Sequence, residues 1–287
     1  MNLAPLSHNR PARLAVSGGG RARLEAWFAL FCLWLAAGCA TLPRTVPVPE
    51  SEASSIRGQF KERLRDQGAC PAALDADVSV SVRNLLWDGA VSGYLRAMAP
   101  DYLRFEAVNP LGLTEALAAA DGERFSYIAV REQAAYQGPL SSDFLSRYLP
   151  DGLATSLSYY WLLGGVTPGA MNIESVGRDQ EGRGYWLDLS YPALGRRTEV
   201  LFVPGQPHLL IRSLVLNSHD AVSLELSYVY PPLATPAACQ LPAKITIHRP
   251  GNGSLVIDFT KRYPTPPLDV SQFRLTPPAG YKRIEVK

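Results

Sequence analysis

The sequence predicts a mainly β, α+β fold: about ten to twelve antiparallel strands in a barrel or strongly curled sheet, with one amphipathic helix ahead of it. Three observations point there. From residue 77 onward, apolar and polar residues alternate with period two in run after run. The runs recur at spacings of about 8–14 residues, as in an antiparallel meander. The chain's 24 Pro and 23 Gly, scattered without a period, supply the turns. Charged residues make up 19% and AVILMFWYC 47% of the 287 residues. That balance excludes a disordered polar tail and a nucleic-acid binder with a dense cationic stripe.

Residues 1–38 read as a signal peptide. Arg10, Arg13, Arg21 and Arg23 form a positive region, and residues 26–37 are twelve uninterrupted apolar or small residues. A helix of that length spans about 18 Å, short of the roughly 30 Å hydrocarbon core, so a cleaved signal is expected and not an anchor. Gly18-Gly19-Gly20 lacks the strand and the Lys-Ser/Thr of a phosphate-binding loop. Leu35-Ala36-Ala37-Gly38-Cys39 resembles a bacterial lipobox, in which Cys39 carries diacylglyceryl and N-acyl groups. The alternative is an ordinary signal peptide with an incidental Cys39. Ala40, not Asp, follows the cysteine, which favours an outer-membrane address. Residues 39–53, with Pro43, Pro47 and Pro49, then make a stiff tether behind the lipid. Residues 1–38 hold four arginines and one glutamate, so the whole chain's +2 becomes 24 basic against 25 acidic residues, or −1, in the remainder. A near-neutral mature domain argues against nucleic acid as a partner.

The rest, residues 54–287, reads as one domain. Residues 54–67 set Ile56, Phe60 and Leu64 four apart among Arg57, Lys61, Glu62, Arg63 and Arg65, an amphipathic helix that stops near Gly68. Val78, Val80 and Val82 then alternate with polar residues, as do Val91, Gly93 and Leu95, and Leu103, Phe105 and Ala107. Each run is a strand with one apolar face. Further strands are expected near 113–119, 124–130 and 134–138. Two short helices follow. Residues 141–148 start on a serine and stop before Pro150, and residues 155–163 end at Gly164-Gly165. Strands resume with Tyr185, Leu187 and Leu189, then Leu209, Ile211 and Val215, then Val222, Leu224 and Leu226, then Ile245 and Ile247, and last Leu255, Ile257 and Phe259.

Of the four cysteines, Cys32 leaves with the signal and Cys39 is acylated, so Cys70 and Cys239 remain as one pair in a compartment that permits disulfides. They form either a bridge closing a loop of about 170 residues or two buried thiols. Catalytic motifs are missing: the sequence contains no GxSxG, HExxH, CxxC, GxGxxG or GxxxxGK[ST]. His208, His219 and His248 are scattered, and Asn217-Ser218-His219-Asp220 reads as a hairpin turn because neighbouring residues in a strand face opposite ways. Asp121-Gly122 and Asn252-Gly253 are hairpin turns as well, not metal ligands. No enzyme, metal or cofactor is indicated, apart from the acyl groups on Cys39. A large curled sheet can enclose an apolar cavity or simply pack its own side chains.

Residues 103–115 (LRFEAVNPLGLTE) resemble the LolB family of lipoprotein-localisation receptors, with an Arg-Phe strand running into Asn-Pro-Leu-Gly and Thr-Glu. Residues 157–165, with Trp161-Leu162-Leu163-Gly164, are similar to that family's Leu-x-x-x-Trp-x-Leu-Gly helix end, and residues 273–281 (FRLTPPAGY) to the tail of the wider LolA/LolB-like superfamily. The resemblance implies a half-open antiparallel barrel closed by short helices over a cavity that binds acyl chains of lipoproteins or lipids. The lining would come from Val91, Leu95, Leu103, Phe105, Leu157, Trp161, Leu187, Leu189, Ile211, Leu224 and Leu226. It also implies that Leu111, between Pro110 and Gly112, protrudes to deliver cargo to the membrane; a buried turn residue is the alternative. The implied protein is a monomeric, periplasm-facing outer-membrane lipoprotein of a Gram-negative bacterium that receives cargo from a periplasmic LolA-like carrier. The insertion at residues 230–243 and the Cys70/Cys239 pair depart from that pattern, leaving open the receptor itself or a paralogue handling another lipid. A scaffolding envelope lipoprotein with a filled barrel, binding other envelope proteins, is the competing expectation.

Overall fold

A computed structural model describes residues 42–83, 88–146, 158–205, 207–232, 239–250, 253–265 and 268–287. The expected signal segment, Cys39 and Leu157 lie outside them, as do residues 147–150 and 233–238. Among the described residues, fifteen strands form one sheet. In chain order they are β1 (Thr45–Pro47), β2 (Ala73–Arg83), β3 (Asp88–Met98), β4 (Tyr102–Val108), β5 (Thr114–Asp121), β6 (Arg124–Ala129), β7 (Ala134–Pro139), β8 (Asn172–Asp179), β9 (Tyr185–Tyr191), β10 (Arg196–Val203), β11 (Leu209–Leu216), β12 (Val222–Val229), β13 (Lys244–Arg249), β14 (Gly253–Tyr263) and β15 (Lys282–Glu285). The α-helices among the described residues are α1 (Glu50–Gly68), α2 (Asp143–Ser146) and α3 (Tyr159–Leu162).

The sheet curls without closing. Its spatial order is β1-β8-β9-β10-β11-β12-β13-β14-β2-β3-β4-β5-β6-β7-β15, so two runs of consecutive hairpins are joined where β14 meets β2. There Ile257 stands opposite Val80 and Leu255 opposite Val82. All pairs are antiparallel except β15 with β7. Four strands go beyond the sequence expectation. β1 falls in the stretch expected to be tether, where residues 45–47 pair with residues 177–179 of β8. β8 and β15 alternate too weakly to stand out, and β10 (RRTEVLFV) mixes both characters within one run.

Helix α1 starts at Glu50, ahead of the expected 54, with Glu50 and Glu52 in its first turn and Arg65 in its last, the charge order a helix dipole favours. Its buried stripe is Ala53, Ile56, Phe60, Arg63 and Gln67. This face packs on the inner side of β9–β11 against Leu187, Leu189, Val200, Phe202 and Leu210, with the Phe60 and Phe202 rings edge to face at 5.6 Å. Stripe positions Arg63 and Gln67 are polar because they meet backbone, not side chains. Arg63 donates to the Gly164 carbonyl (3.2 Å), and Gln67 donates to the Val166 carbonyl (2.7 Å) while accepting from the Val166 N–H (3.0 Å). Burial holds the Arg63 guanidinium below its ordinary pKa. These bonds tie the chain after α3 to the end of α1.

Cys70 and Cys239 are joined across 169 residues, Cα to Cα 5.2 Å, linking the end of α1 to the β12–β13 connection. On the outer face of β4–β7, Phe273 packs on Tyr102 with ring centroids 5.4 Å apart, and Leu275 packs with Ala119, Ile128 and Ala135. The tail therefore crosses to the far edge, where β15 runs beside β7.

Candidate functional site

Helix α1 occupies only part of the inner face. Where it ends, α3 takes over, and between α3 and the sheet lies a cavity of 220 Å³. Strands β2 and β3 contribute Val78, Val80 and Leu95, β4 and β5 contribute Leu103, Phe105 and Ala118, and β12 contributes Leu226. Ile245 and Ile247 of β13 and Leu255 and Ile257 of β14 complete the sheet side, while Tyr159, Trp161 and Leu162 form the lid. These are inward members of alternating strands, so period two along each strand becomes one continuous apolar wall.

Local chemistry fixes the lid. Ser158 caps α3 by accepting from the Tyr160 N–H (3.4 Å), and the Tyr159 N–H donates to the Pro100 carbonyl (3.0 Å), pinning the helix start to the β3–β4 turn. The Tyr159 hydroxyl donates to the Pro71 carbonyl (2.7 Å), and burial raises its pKa. At the other end Gly164 adopts φ +64°, and a Cβ there would lie 2.1 Å from the Tyr230 hydroxyl. On the wall, a Cβ on Gly93 would come within 2.6 Å of the Phe105 ring, so glycine on β3 leaves the space in which Phe105 sits beside the cavity. Among the described residues, Asp101 and Ser158 are the non-aromatic polar residues at the lining, which remains almost wholly apolar.

The residues expected to line a cavity divide by place in the fold. Leu95, Leu103, Phe105, Trp161 and Leu226 line it. Leu187 and Leu189 are fully buried elsewhere, beneath Ile56 and Phe60, because α1 fills that part of the curl. Leu224 belongs to the core around the cavity without lining it. Ile211 packs on the opposite face, with Trp186, Leu201, Leu214, Leu216 and Val222, since register shifts in β10–β11 and β11–β12 turn side chains outward there. Val91 is half-buried and away from the lining. Sequence reasoning passed over Val78, Val80, Ile245, Ile247, Leu255 and Ile257 as lining residues. Their alternation was visible, but the β14–β2 pairing that gathers them was not.

The β4–β5 hairpin stands clear of the sheet. Asn109 Oδ1 accepts from the N–H groups of Leu111 and Leu113 (both 3.0 Å), the Gly112 N–H donates to the Asn109 carbonyl (2.8 Å), and Gly112 takes φ +78°. This side chain-to-backbone turn aims Leu111 outward. Leu111 is 84% and Leu113 62% exposed. Leu111 is thus not a buried turn residue, and Leu113 is a second apolar tip that the sequence motif did not single out. Among the described residues no group of three or more His, Cys, Asp and Glu side chains could hold a metal ion.

A large unclosed antiparallel sheet, with short helices over an apolar cavity, defines the LolA-like class of fold. No family model and no curated protein matches the sequence. Solved structures do match in fold. The chain is similar to a DUF1329 family protein from Desulfovibrio piger, with a TM-score of 0.53 and 13% identity over 76% of this chain and 97% of that one. It is similar to a LolA superfamily protein from Nitrosomonas europaea, with a TM-score of 0.51 and 8% identity over 76% of this chain and 97% of that one. It is also similar to a protein from Vibrio parahaemolyticus described as an outer membrane lipoprotein-sorting protein domain, with a TM-score of 0.53 and 10% identity over 75% and 94% of the two chains.

Proposed function

We propose that this chain is an outer-membrane lipoprotein, anchored through Cys39 and facing the periplasm of a Gram-negative bacterium, that holds an acyl chain in its cavity and passes acylated cargo to the membrane. It is a binding protein and not an enzyme, and it acts as a monomer. The observation that carries this reading is the 220 Å³ cavity with an almost wholly apolar lining. An apolar cavity of about 150 Å³ already admits benzene, so this one has room for a stretch of a single chain. The outer-membrane lipoprotein-sorting description of the Vibrio parahaemolyticus relative supports the same reading by fold. The Leu111/Leu113 tip supplies apolar surface that would enter a bilayer, and a LolA-like periplasmic carrier is the proposed donor of cargo. The unfilled interior speaks against the scaffolding alternative.

Native mass spectrometry of the Cys39→Ala chain, purified from the periplasm without detergent, tests the proposal. The expected spectrum carries an adduct of lipid mass that organic solvent releases and that Ala118→Phe, which fills the cavity, removes. A spectrum free of adducts in the unmodified lining, before and after incubation with acylated peptide, would defeat it.

A further inference from the structure

A second, smaller pocket shares Trp161 with the cavity but differs from it in chemistry. Its wall comes from β9, β10 and β11 and from the chain leaving α3. Tyr191 and Arg196 stand directly opposite each other across the β9–β10 hairpin, and Thr198 follows on the same face of β10. Ser213 of β11 lies one step further along, opposite Val200. Tyr191, Thr198 and Ser213 are 5%, 8% and 7% exposed. Among the described residues, none of their hydroxyls has a hydrogen-bond partner, and none of the three oxygens is sealed off from solvent. In residues so deeply buried, that open surface belongs to the pocket they line, where polar atoms make up a good part of the wall. Arg196 is the most exposed of the four and has no ion pair, whereas Arg197, facing the other way, takes Asp188 and Asp220. No Asp or Glu is among the described lining residues. Burial pushes the Tyr191 hydroxyl up to about 12, and the Arg196 charge beside it pulls the other way.

Three hydroxyls without partners and one unpaired guanidinium, with no acid among them, suit an oxyanion. The pocket's 20 Å³ takes one water-sized group. A phosphate would seat one oxygen inside and leave the others to Arg196. Leu194, in the turn between Tyr191 and Arg196, is 59% exposed. Every pairing from β9 round to β5 is antiparallel, so the β9–β10 and β4–β5 hairpins emerge at the same end of the sheet. Leu194 therefore shares that end with Leu111 and Leu113. We infer that this pocket binds the phosphate of a membrane lipid headgroup, which pairs with Arg196 and accepts from the Tyr191, Thr198 and Ser213 hydroxyls, while Leu194 enters the apolar layer beside it. This is a second site, and it stands whatever the cavity holds.

The test measures binding of the Cys39→Ala chain to vesicles of phosphatidylcholine and of digalactosyldiacylglycerol. Neither bilayer has net charge, and the first alone carries phosphate. The expected affinity for phosphatidylcholine is at least about tenfold above that for the galactolipid, the scale of one hydrogen bond to a charged group. Arg196→Gln, and separately Thr198→Val with Ser213→Ala, each checked by thermal unfolding, should bring it down to the galactolipid level. Equal affinities for the two bilayers, or a preference that survives both sets of substitutions, would overturn the inference. Calorimetric titration with glycerophosphocholine and with acetate separates the sources. Glycerophosphocholine binding that needs Arg196, alongside equal vesicle affinities, would keep the phosphate site and remove the membrane as its source. Acetate binding as tightly as glycerophosphocholine would remove phosphate as the ligand. The lipid-mass adduct of the cavity is read separately, so failure here leaves the acyl-chain reading standing.

Discussion

Lengthening a bound alkyl chain should strengthen binding only until the cavity is full. A volume of 220 Å³ holds about seven groups of the size of a water or methylene, at roughly 30 Å³ each. Each buried methylene contributes about 0.8 kcal/mol, close to fourfold in affinity, so a filled cavity contributes about 6 kcal/mol before ordering costs. Displacement of an environment-sensitive fluorophore by a series of n-alkyl amides measures this directly. Dissociation constants should fall about fourfold per methylene over about seven carbons and then level off. A side chain at position 118 tests the same space from inside. Ala118→Phe should flatten the series, because an apolar cavity of about 150 Å³ is the kind that one benzene-sized ring fills, and that is most of this space. The variant's thermal midpoint should hold or rise, since filling a cavity restores lost contacts. A slope that continues through sixteen-carbon chains, or no slope at all, would refute the single-chain geometry.

Four other outcomes are expected. Leu111→Glu together with Leu113→Glu should lower transfer of a labelled acylated peptide to vesicles at least tenfold with an unchanged circular dichroism spectrum, because burying each leucine is worth about 1.5–3 kcal/mol; transfer at the unsubstituted rate would remove the tip from the mechanism. Intact mass with and without reductant should differ by two hydrogens, and Cys70→Ala with Cys239→Ala should lower unfolding free energy by about 2–5 kcal/mol, the usual span for a long loop; two free thiols in freshly isolated protein would end that assignment. Gln67→Ala, which strands the buried N–H and carbonyl of Val166, should lower unfolding free energy by about 2–3 kcal/mol in a urea titration. Glu199 faces Asp188 across β9–β10 and is pushed up to about 7 from 4.5, by burial first and then by Asp188 and Asp220, with Arg197 opposing. Its raised folded-state pKa means the native chain keeps a proton that the unfolded chain has released, so this residue's contribution to stability falls as pH rises from about 4.5 to about 7. Denaturant midpoints across that window should lose this slope in Glu199→Gln, and an unchanged slope would refute the assignment.

Much of the fold was legible in the sequence because its signals are local. Val78-Ser79-Val80 or Leu224-Glu225-Leu226 declares a half-buried strand from three residues, and Ile56 with Phe60 declares a helix face. The hairpin at Asn109-Pro110-Leu111-Gly112 was equally visible, since the asparagine's bonds reach only two and four residues along the chain. The edge strands were not. β1 and β15 are short and solvent-exposed, with no alternating apolar face, and exist because β8 and β7 offer them backbone partners. Arg63 and Gln67 look like solvent-facing residues until Gly164 and Val166, about a hundred residues away, turn out to need their hydrogen bonds.

The lining divides along the same line. Alternation determined that Leu187, Leu189 and Leu226 face inward, and by itself it could not distinguish them, since each is an apolar residue on an apolar face. Tertiary structure decided that α1 lies over the first two and α3 over the third, so that one region became packed core and the other a cavity. It also decided that β14 pairs with β2, bringing Ile257 and Val80 together across about 180 residues. Local sequence sets which way a side chain points because strand and helix periods are properties of the backbone. What it then meets depends on contacts between distant segments, and those are set only when the whole sheet curls.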